Sequence, residues 1–197
     1  MINTVDFTQL PDQEIVQKVL ANPDYYMIIM DRYENKLTAY IRRISGLSPE
    51  DIEDVLQETF LQAYRSLNDY DESYKFSTWI YHLAHNKTID FWRKHKKHLS
   101  NLELDEQKDF VALLRDDTNA AEKMDQLIDR HKVMRALENI SLEQREALIL
   151  RYWEDKSYEE MSDILHKPIG TVGVLISRAK KELKKHIANI WASKTKY

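Results

Sequence analysis

The sequence contains no cysteine, only three glycines and only four prolines in 197 residues. Without cysteine, the chain forms neither a disulfide framework nor a thiolate metal site, which fits a reducing compartment. So few glycines and prolines do not supply the many turns that a sheet protein requires. They also leave no glycine-rich loop that would hold a phosphate group. The composition therefore predicts an all-α fold.

Long apolar runs are also missing. No stretch approaches the roughly eighteen consecutive apolar residues of a membrane-spanning helix. The first residues, MINTVDFTQLPDQ, lack the basic start and the apolar run of a signal peptide. We therefore expect a cytoplasmic protein without membrane insertion. Hydrophobic residues still make up 43% of the chain, which is enough to build packed cores.

The charged residues are segregated by sign, although the net charge is only −4. Residues 48–72 contain eight acidic side chains and one basic one, and residues 75–98 contain six basic and one acidic. Residues 101–123 contain seven acidic and three basic side chains, and residues 170–197 seven basic and one acidic. Blocks of alternating sign indicate surfaces that meet different partners.

Cap and breaker residues predict three helices in the first 70 residues. Asp12 is expected to cap the first helix, Asn22-Pro23 to begin the second and Ser48-Pro49 to begin the third. In the second helix, apolar side chains three and four residues apart form an expected buried stripe of Met30, Tyr33, Leu37, Tyr40 and Ile44. The third helix is predicted to carry an outward acidic face, made of Glu53, Asp54, Gln57 and Glu58.

The segment KFSTWIYHLAHNKTIDFWRKHKK, residues 75–97, combines five aromatic rings with six Lys or Arg and three His. Helical spacing places one set of side chains inward: Trp79, Ile80, Leu83, Ala84 and Phe91. A second set has no evident place in a core: Tyr81, His82, His85, Asn86, Lys87, Trp92 and Arg93. Rings beside cations suit unstacked nucleic-acid bases, since every base offers a face for stacking and the adjacent backbone is anionic. The alternative interpretation is that most of these rings are core and the cations form a solvated face.

Near the C-terminus, two helix-start signals are followed by a short turn and a long helix. Ser141–Gln144 and Ser157–Glu160 match the capping box, and residues 166–169 form the turn before a last helix over about 170–190. This spacing is typical of a helix-turn-helix. The side chains expected to be buried are Met161, Ile164, Leu165, Val172 and Ile176. Those expected to face phosphates and groove edges are Thr171, Ser177, Arg178, Lys180 and Lys181. An ordinary helical hairpin with a basic end is the alternative.

Metal ligands are not arranged in a recognisable pattern. The pairs His82/His85 and His95/His98 are each three residues apart, but no carboxylate except Asp90 lies near them in the sequence. No metal site and no cofactor is therefore predicted.

Three stretches, in this order, resemble the extracytoplasmic-function (ECF) sigma factors of bacterial RNA polymerase, within the sigma-70 family. They are IEDVLQETFLQAYRSL, the segment 75–97, and LENISLEQREALILRYWEDKSYEEMSDILHKPIGTVGVLISRAKKEL. The similarity covers roughly residues 24–186. It implies a helical sigma-2-like domain over residues 1–98, a flexible acidic linker over 99–123 and a sigma-4-like helix-turn-helix domain over 124–197.

The resemblance also implies a role for each surface. Core polymerase would be bound by Asp54, Gln57 and Glu58. The minus-10 promoter region would be melted, and a flipped base held, by Tyr70, Lys75, Trp79, His82, Asn86 and Arg93. The minus-35 element would be contacted as duplex by Thr171, Ser177, Arg178 and Lys181. The acidic linker would pass near the active centre of the polymerase.

One feature departs from the family pattern. Members commonly have a basic residue after Gly-Thr-Val and often another two positions on, whereas this chain has Gly173 and Leu175. We therefore expect weaker or differently placed minus-35 contacts.

The function implied is that of a transcription initiation factor with no reaction of its own, whose partners are core RNA polymerase, promoter DNA and an anti-sigma factor. One alternative is a helix-turn-helix transcriptional regulator that binds duplex DNA without polymerase. A helical protein that sequesters a partner is disfavoured by the basic-aromatic segment, and a metal-dependent helical enzyme by the lack of ligand spacing.

Overall fold

The computed structural model describes residues 9–95 and 136–194, with the side chains of the last helix described as far as residue 188. These residues fall into two compact units, each built mainly from one range, and their regular structure is entirely helical. The all-α prediction is confirmed for this part of the chain. The linker predicted over 99–123 lies outside the described residues.

Within residues 9–95, the first unit contains four α-helices and the 3-10 turns Pro23–Tyr25 and Leu67–Asp69. The helices are α1 (Asp12–Ala21), α2 (Tyr26–Ser45), α3 (Pro49–Arg65) and α4 (Phe76–His95). Helices α2, α3 and α4 pack against one another in all three combinations, and α1 contacts both α2 and α4. The centre of the core is formed by α2, whose Leu37, Tyr40 and Ile41 are fully buried.

The predicted cap of α3 is confirmed. The Ser48 hydroxyl oxygen accepts a hydrogen bond from the Asp51 amide at 3.2 Å, with Pro49 in the first helical position. Gly46 ends α2 in the left-handed conformation at φ 65°, which costs a residue without a Cβ little. Asn22 caps the 3-10 turn that precedes α2, because its side-chain oxygen accepts from the Asp24 amide at 3.0 Å.

The cap predicted at Asp12 is wrong. Asp12 is the first residue of α1, and its carboxylate makes no cap bond. It accepts hydrogen bonds from the Arg32 guanidinium at 2.8 Å and from the Tyr33 hydroxyl at 2.6 Å, which ties α1 to α2. Burial and the bond to Asp12 raise the pKa of the Tyr33 phenol, so it stays protonated and donates. The Asp12 carboxylate therefore binds Arg32 and Tyr33, about twenty residues away in the sequence, instead of a backbone amide of its own helix.

The buried stripe of α2 is confirmed at Tyr33, Leu37, Tyr40 and Ile44. It is wrong at Met30, whose side chain is 41% exposed. Ile29 takes the inward place instead, because it lies four residues before Tyr33 and eight before Leu37 along the same face.

The second unit contains α5 (Leu142–Tyr152), α6 (Tyr158–Leu165) and α7 (Ile169–Lys194). Both capping boxes are confirmed. Ser141 accepts from the Gln144 amide at 3.3 Å, and Ser157 accepts from the Glu160 amide at 3.1 Å while its own amide donates to the Glu160 carboxylate at 2.9 Å. Helix α7 begins at Ile169 and reaches Lys194, a longer span than the predicted 170–190.

Arg145 fills an internal role that the sequence did not predict. Its side chain is buried, and its guanidinium donates to the carbonyls of Leu137 at 3.0 Å and Glu138 at 3.4 Å. These carbonyls belong to the helical residues 136–138, so Arg145 closes the end of that helical segment against α5. Burial lowers the pKa of Arg145 to about 10, which leaves it charged at neutral pH.

The Ser157 cap offers a test of local stability. Ser157→Ala is expected to lower the free energy of unfolding by about 1 kcal/mol, because α6 has only eight residues and loses the acceptor for its third amide. Urea unfolding followed by circular dichroism measures the change. Ser157→Asp is the matched control, since Asp caps about as well as Ser. An equal loss in both variants would contradict the capping explanation.

Candidate functional site

The acidic face of α3 is presented as the sequence predicted. Glu53, Asp54, Gln57 and Glu58 are all exposed, whereas Ile52, Val55, Leu56 and Phe60 on the opposite side are buried. The Gln57 amide donates to the Glu53 carboxylate at 3.1 Å, one helical turn away. Glu50 and Asp51 lie in the first turn of α3, where the helix dipole favours negative charge. The result is a fixed, negatively charged helical surface.

A cleft of about 490 Å³ separates this face from the C-terminal half of α4. Asp54, Gln57 and Glu58 line one side, and the other side is lined by Lys87, Asp90, Phe91, Lys94 and His95. Lys87 bridges the cleft, with its ammonium 3.4 Å from the Glu58 carboxylate. The Glu58 side chain is 62% exposed, so water screens this pair and its contribution to stability is small. The α3 side of the cleft is therefore acidic, and the α4 side is mainly basic.

An aromatic cluster supports the start of α4. The Tyr70 ring lies 5.4 Å from Phe76 and 5.2 Å from Trp79, and Phe76 lies 5.4 Å from Trp79. Tyr33 from α2 extends the cluster, with its ring centroid 5.6 Å from that of Phe76. Contacts at these distances stabilise beyond the area they bury. The cluster fixes the turn between α3 and α4 relative to the body of the unit.

Tyr70 is part of this support rather than an open ring. Its side chain is 8% exposed, and its hydroxyl donates to the carbonyl of Tyr74. Burial raises the pKa of the Tyr70 phenol, so the donor keeps its proton. Trp79 is half-buried and keeps part of its ring at the surface. The packing thus favours Trp79 over Tyr70 as a stacking platform.

Tyr81 was expected outside the core, and that expectation is wrong. It is only 3% exposed, with its ring centroid 5.0 Å from that of Tyr40 on α2. Ile80 and Ala84 are buried as predicted, whereas Leu83 and Phe91 are half-buried. Tyr81 follows Ile80 directly, so α4 buries a wider face than the predicted stripe.

The polar side chains predicted to meet DNA lie along one part of α4 and the turn before it. Lys75, Asn86 and Arg93 are exposed, and His82 is half-buried. The Asn86 amide nitrogen lies 2.8 Å from His82 Nε2, a contact that fixes the direction of the amide. Arg93 is paired loosely with Asp90 at 3.9 Å. These groups and Trp79 form what we call the α4 surface.

The helix-turn-helix is confirmed in its geometry. Helix α6 ends at Leu165, the following residue His166 adopts the left-handed conformation at φ 50°, and α7 begins at Ile169. The side chains predicted to hold the two helices together are all buried: Met161, Ile164, Leu165, Val172 and Ile176. The Ser162 hydroxyl donates to the Lys167 carbonyl at 2.6 Å, which fixes the turn.

The predicted duplex contacts are at the surface of α7. Thr171, Ser177, Arg178 and Lys181 are exposed. Lys180 is half-buried instead, with its ammonium 5.1 Å from the centre of the Tyr152 ring. Gly173 is half-buried, and a Cβ at this position would lie 3.8 Å from Tyr158 Cε1, an ordinary contact distance.

Two further findings concern metal binding and membrane spanning in the described residues. They contain no group of three or more His, Cys, Asp or Glu side chains placed to hold a metal ion. In the same part of the chain, every helix is too short or too polar to span a bilayer.

Two family models match the chain, one on each unit. Sigma-70 region 2 matches residues 29–98, and Sigma-70 region 4 matches residues 130–183. The first match contains the acidic face and the α4 surface, and the second contains the helix-turn-helix. Together they define the class as sigma-70-type transcription factors with a sigma-2 and a sigma-4 domain.

Known proteins align with almost the whole chain. The ECF RNA polymerase sigma-E factor of Haemophilus influenzae is 31% identical over 185 residues, covering 91% of this chain and 96% of that protein. The solved structure of CnrH with the cytosolic domain of CnrY aligns with a TM-score of 0.65 at 20% identity, covering 90% of this chain and 97% of that chain. RpoE of Bartonella quintana, solved with the anti-sigma factor NepR, aligns with a TM-score of 0.57 at 19% identity, covering 83% and 96%.

The chain belongs to the ECF sigma factors of bacterial RNA polymerase. Its function is therefore that of a sigma factor, which directs transcription initiation by the polymerase.

Proposed function

We propose that the two units divide promoter recognition between them, with polymerase docking and strand opening assigned to the first and duplex reading to the second. The observation that carries the proposal is the adjacency of two different surfaces within the unit matched by region 2. The acidic face of α3 and the α4 surface lie on helices that pack directly against each other. A protein that brings polymerase to DNA needs one surface for each.

Docking is assigned to Asp54, Gln57 and Glu58. All three are exposed on one helical face, and two of them are negatively charged at neutral pH. An acidic surface of this kind is complementary to a basic surface on a partner, which accelerates encounter and fixes the orientation of binding. The Glu58 carboxylate is 62% exposed, so water screens its pair with Lys87 and a cation from the polymerase can replace Lys87 at little cost.

Opening of the minus-10 region is assigned to the α4 surface. Trp79 offers a partly exposed ring for an unstacked base, and Asn86 offers an amide that can hydrogen-bond a base edge. Lys75 and Arg93 supply positive charge for the DNA backbone. The energy for strand separation would come from the captured bases and the polymerase contacts, so the protein would catalyse no reaction of its own.

Recognition of the minus-35 element is assigned to α7. As the second helix of a helix-turn-helix, it is the element that enters the major groove. Thr171 and Ser177 would meet base edges or phosphates, and Arg178 and Lys181 would meet phosphates.

Gly173→Lys tests the assignment of α7 to duplex DNA. The added cation is expected to strengthen duplex binding and to steepen its salt dependence by about one unit of log–log slope. A Cβ fits at this position, as its nearest neighbour would be Tyr158 Cε1 at 3.8 Å. Gly173→Ala is the control, because it removes the helix penalty of glycine, about 1 kcal/mol, without adding charge. If the lysine and alanine variants share one slope in a salt titration of binding, position 173 does not face DNA.

We propose the bacterial cytoplasm as the protein's location, because the polymerase and the chromosome are found there. An anti-sigma factor is also proposed as a partner, because RpoE, which shares the fold, was solved with one. Such a partner would act by covering the acidic face of α3 or the helix-turn-helix, and competition with core polymerase would detect it.

Run-off transcription tests the proposal as a whole. Purified bacterial core polymerase is given a pool of randomised promoters, with and without the protein. Transcripts that require the protein and share two upstream elements at a fixed separation are the expected result. Duplex binding without any transcript, with core polymerases from several bacteria, would instead favour a helix-turn-helix regulator that acts without polymerase.

A further inference from the structure

The first two turns of α7 present an uncharged and partly apolar surface. Val174 is 48% exposed, and Thr171, one turn earlier on the same face of α7, is exposed as well. Ile169, the first residue of the helix, is 49% exposed on another face. No Lys, Arg, Asp or Glu occurs from residue 169 to residue 177. Tyr158, the first residue of α6, adds a ring that is 37% exposed beside Gly173.

This surface continues into a basic one along the same side of the helix. Thr171, Val174, Arg178 and Lys181 are spaced by three, four and three residues, so they form one stripe, and all four are exposed. The stripe is apolar or uncharged toward the start of α7 and cationic beyond it. A duplex offers the same order, with base edges inside the groove and phosphates at its rim.

Only one group in the major groove is apolar, and that is the C5-methyl group of thymine. Recognition helices contact base edges with their N-terminal residues, which here include Ile169 and Val174. Guanine is most often read by Arg or Lys, and these first two turns contain neither. Gly170 leaves room for close approach, since a Cβ there would have no atom within 4 Å.

Resting on the proposed function of α7, we infer that its first two turns read a thymine methyl group, with Val174 as the residue that determines specificity. The element they read therefore contains an A·T pair at the position that Val174 covers. Arg178 and Lys181 hold the adjacent phosphates, which sets the depth of the helix in the groove. The charge pattern of the stripe favours DNA as the occupant. Phosphates would pair with Arg178 and Lys181, whereas an apolar protein surface that covered Val174 would leave both cations unpaired.

Replacement of thymine by deoxyuridine tests this inference directly, since it removes the methyl group and changes no hydrogen-bonding edge. The promoter selected by run-off transcription is rebuilt with deoxyuridine at each thymine of the upstream element, one at a time. Holoenzyme affinity for each duplex is then measured by competition. At one or more positions we expect about a fourfold loss, the factor that corresponds to one apolar carbon no longer buried.

Val174→Ser assigns the contact to a residue. The variant is expected to bind the thymine duplex less tightly and to lose its sensitivity to deoxyuridine at the position that Val174 covers. Val174 is 48% exposed, so the change leaves the core intact, and deoxyuridine placed between the two promoter elements is the matched DNA control.

Two results would overturn the inference while leaving the sigma function in place. One is holoenzyme affinity that is unaffected by deoxyuridine at every position of the element. The other is an equal loss of affinity for Val174→Ser on the thymine duplex and on the deoxyuridine duplex. That result would mean that Val174 contacts protein rather than the methyl group. A chain that directs no transcription from any promoter fails at the earlier step, and the inference fails with the proposed function.

Discussion

Reversing the charge of Asp54 and Glu58 together is expected to weaken binding to core polymerase by roughly a hundredfold to a thousandfold. The Asp54→Lys, Glu58→Lys chain removes two negative charges from the proposed docking face and places two positive charges against a basic partner surface. Like charges brought together at an interface cost several kcal/mol, and about 1.4 kcal/mol corresponds to a factor of ten in affinity. Titration of a fluorescently labelled chain with core polymerase measures the change.

The matched control reverses two exposed acids elsewhere on the same unit. Asp31 and Glu34 lie on α2 and are both exposed, so Asp31→Lys with Glu34→Lys produces the same change in net charge. This control is expected to bind nearly as tightly as the natural sequence at 0.15 M salt, where distant surface charges are screened within about 8 Å. If both double variants lose affinity equally, net charge rather than the acidic face determines binding. Full affinity in the first variant would place docking on another surface.

The second large effect is expected from Asn86→Ala. Loss of a base-edge hydrogen bond costs about 1–3 kcal/mol, which corresponds to roughly a fivefold to a hundredfold drop in promoter opening. Asn86 is exposed and its amide is held by His82 at 2.8 Å, so its removal disturbs no core contact. Permanganate footprinting of unpaired thymines measures the open fraction on a duplex promoter.

Two comparisons separate strand opening from other causes. A template already unpaired at the minus-10 region is expected to restore most of the transcription, because opening is no longer limiting. Asn35→Ala, the same substitution at an exposed position on α2, is expected to change nothing. An equal defect on duplex and unpaired templates would exclude a role for Asn86 in opening, and a loss of polymerase binding would point to docking or folding instead.

Local sequence patterns predicted the helix starts well because a cap involves only neighbouring residues. The Ser48, Ser141 and Ser157 side chains each accept from an amide three residues on, so the partners are determined once the helix forms. Asp12 had the same local opportunity, but Arg32 and Tyr33 bind its carboxylate. Its partner is the Arg32 guanidinium on another helix rather than a nearby backbone amide. A pattern of neighbouring residues cannot predict a donor that lies on another helix.

Burial was harder to predict on α4, because that helix is contacted by three other helices whereas α3 is contacted by two. A single period of 3.6 residues describes a helix that packs along one face, as α3 does. Helix α4 instead packs against α1, α2 and α3, and Tyr81 is covered by Tyr40 of α2. Which of its rings were free to meet a base therefore depended on where the other helices lay.

The sequence by itself determined the helical class, the helix-turn-helix, the exposed acidic face and the family, because these depend on periodicity, caps and the order of motifs. Only the tertiary structure decided that Tyr70 is packed while Trp79 stays partly open, that Lys87 faces Glu58 across a cleft, and that Arg145 closes a helix end from inside. Each of these joins residues that are distant in the chain or on separate helices. Such contacts arise when helices pack, and their partners are fixed by the three-dimensional arrangement rather than by any neighbouring sequence.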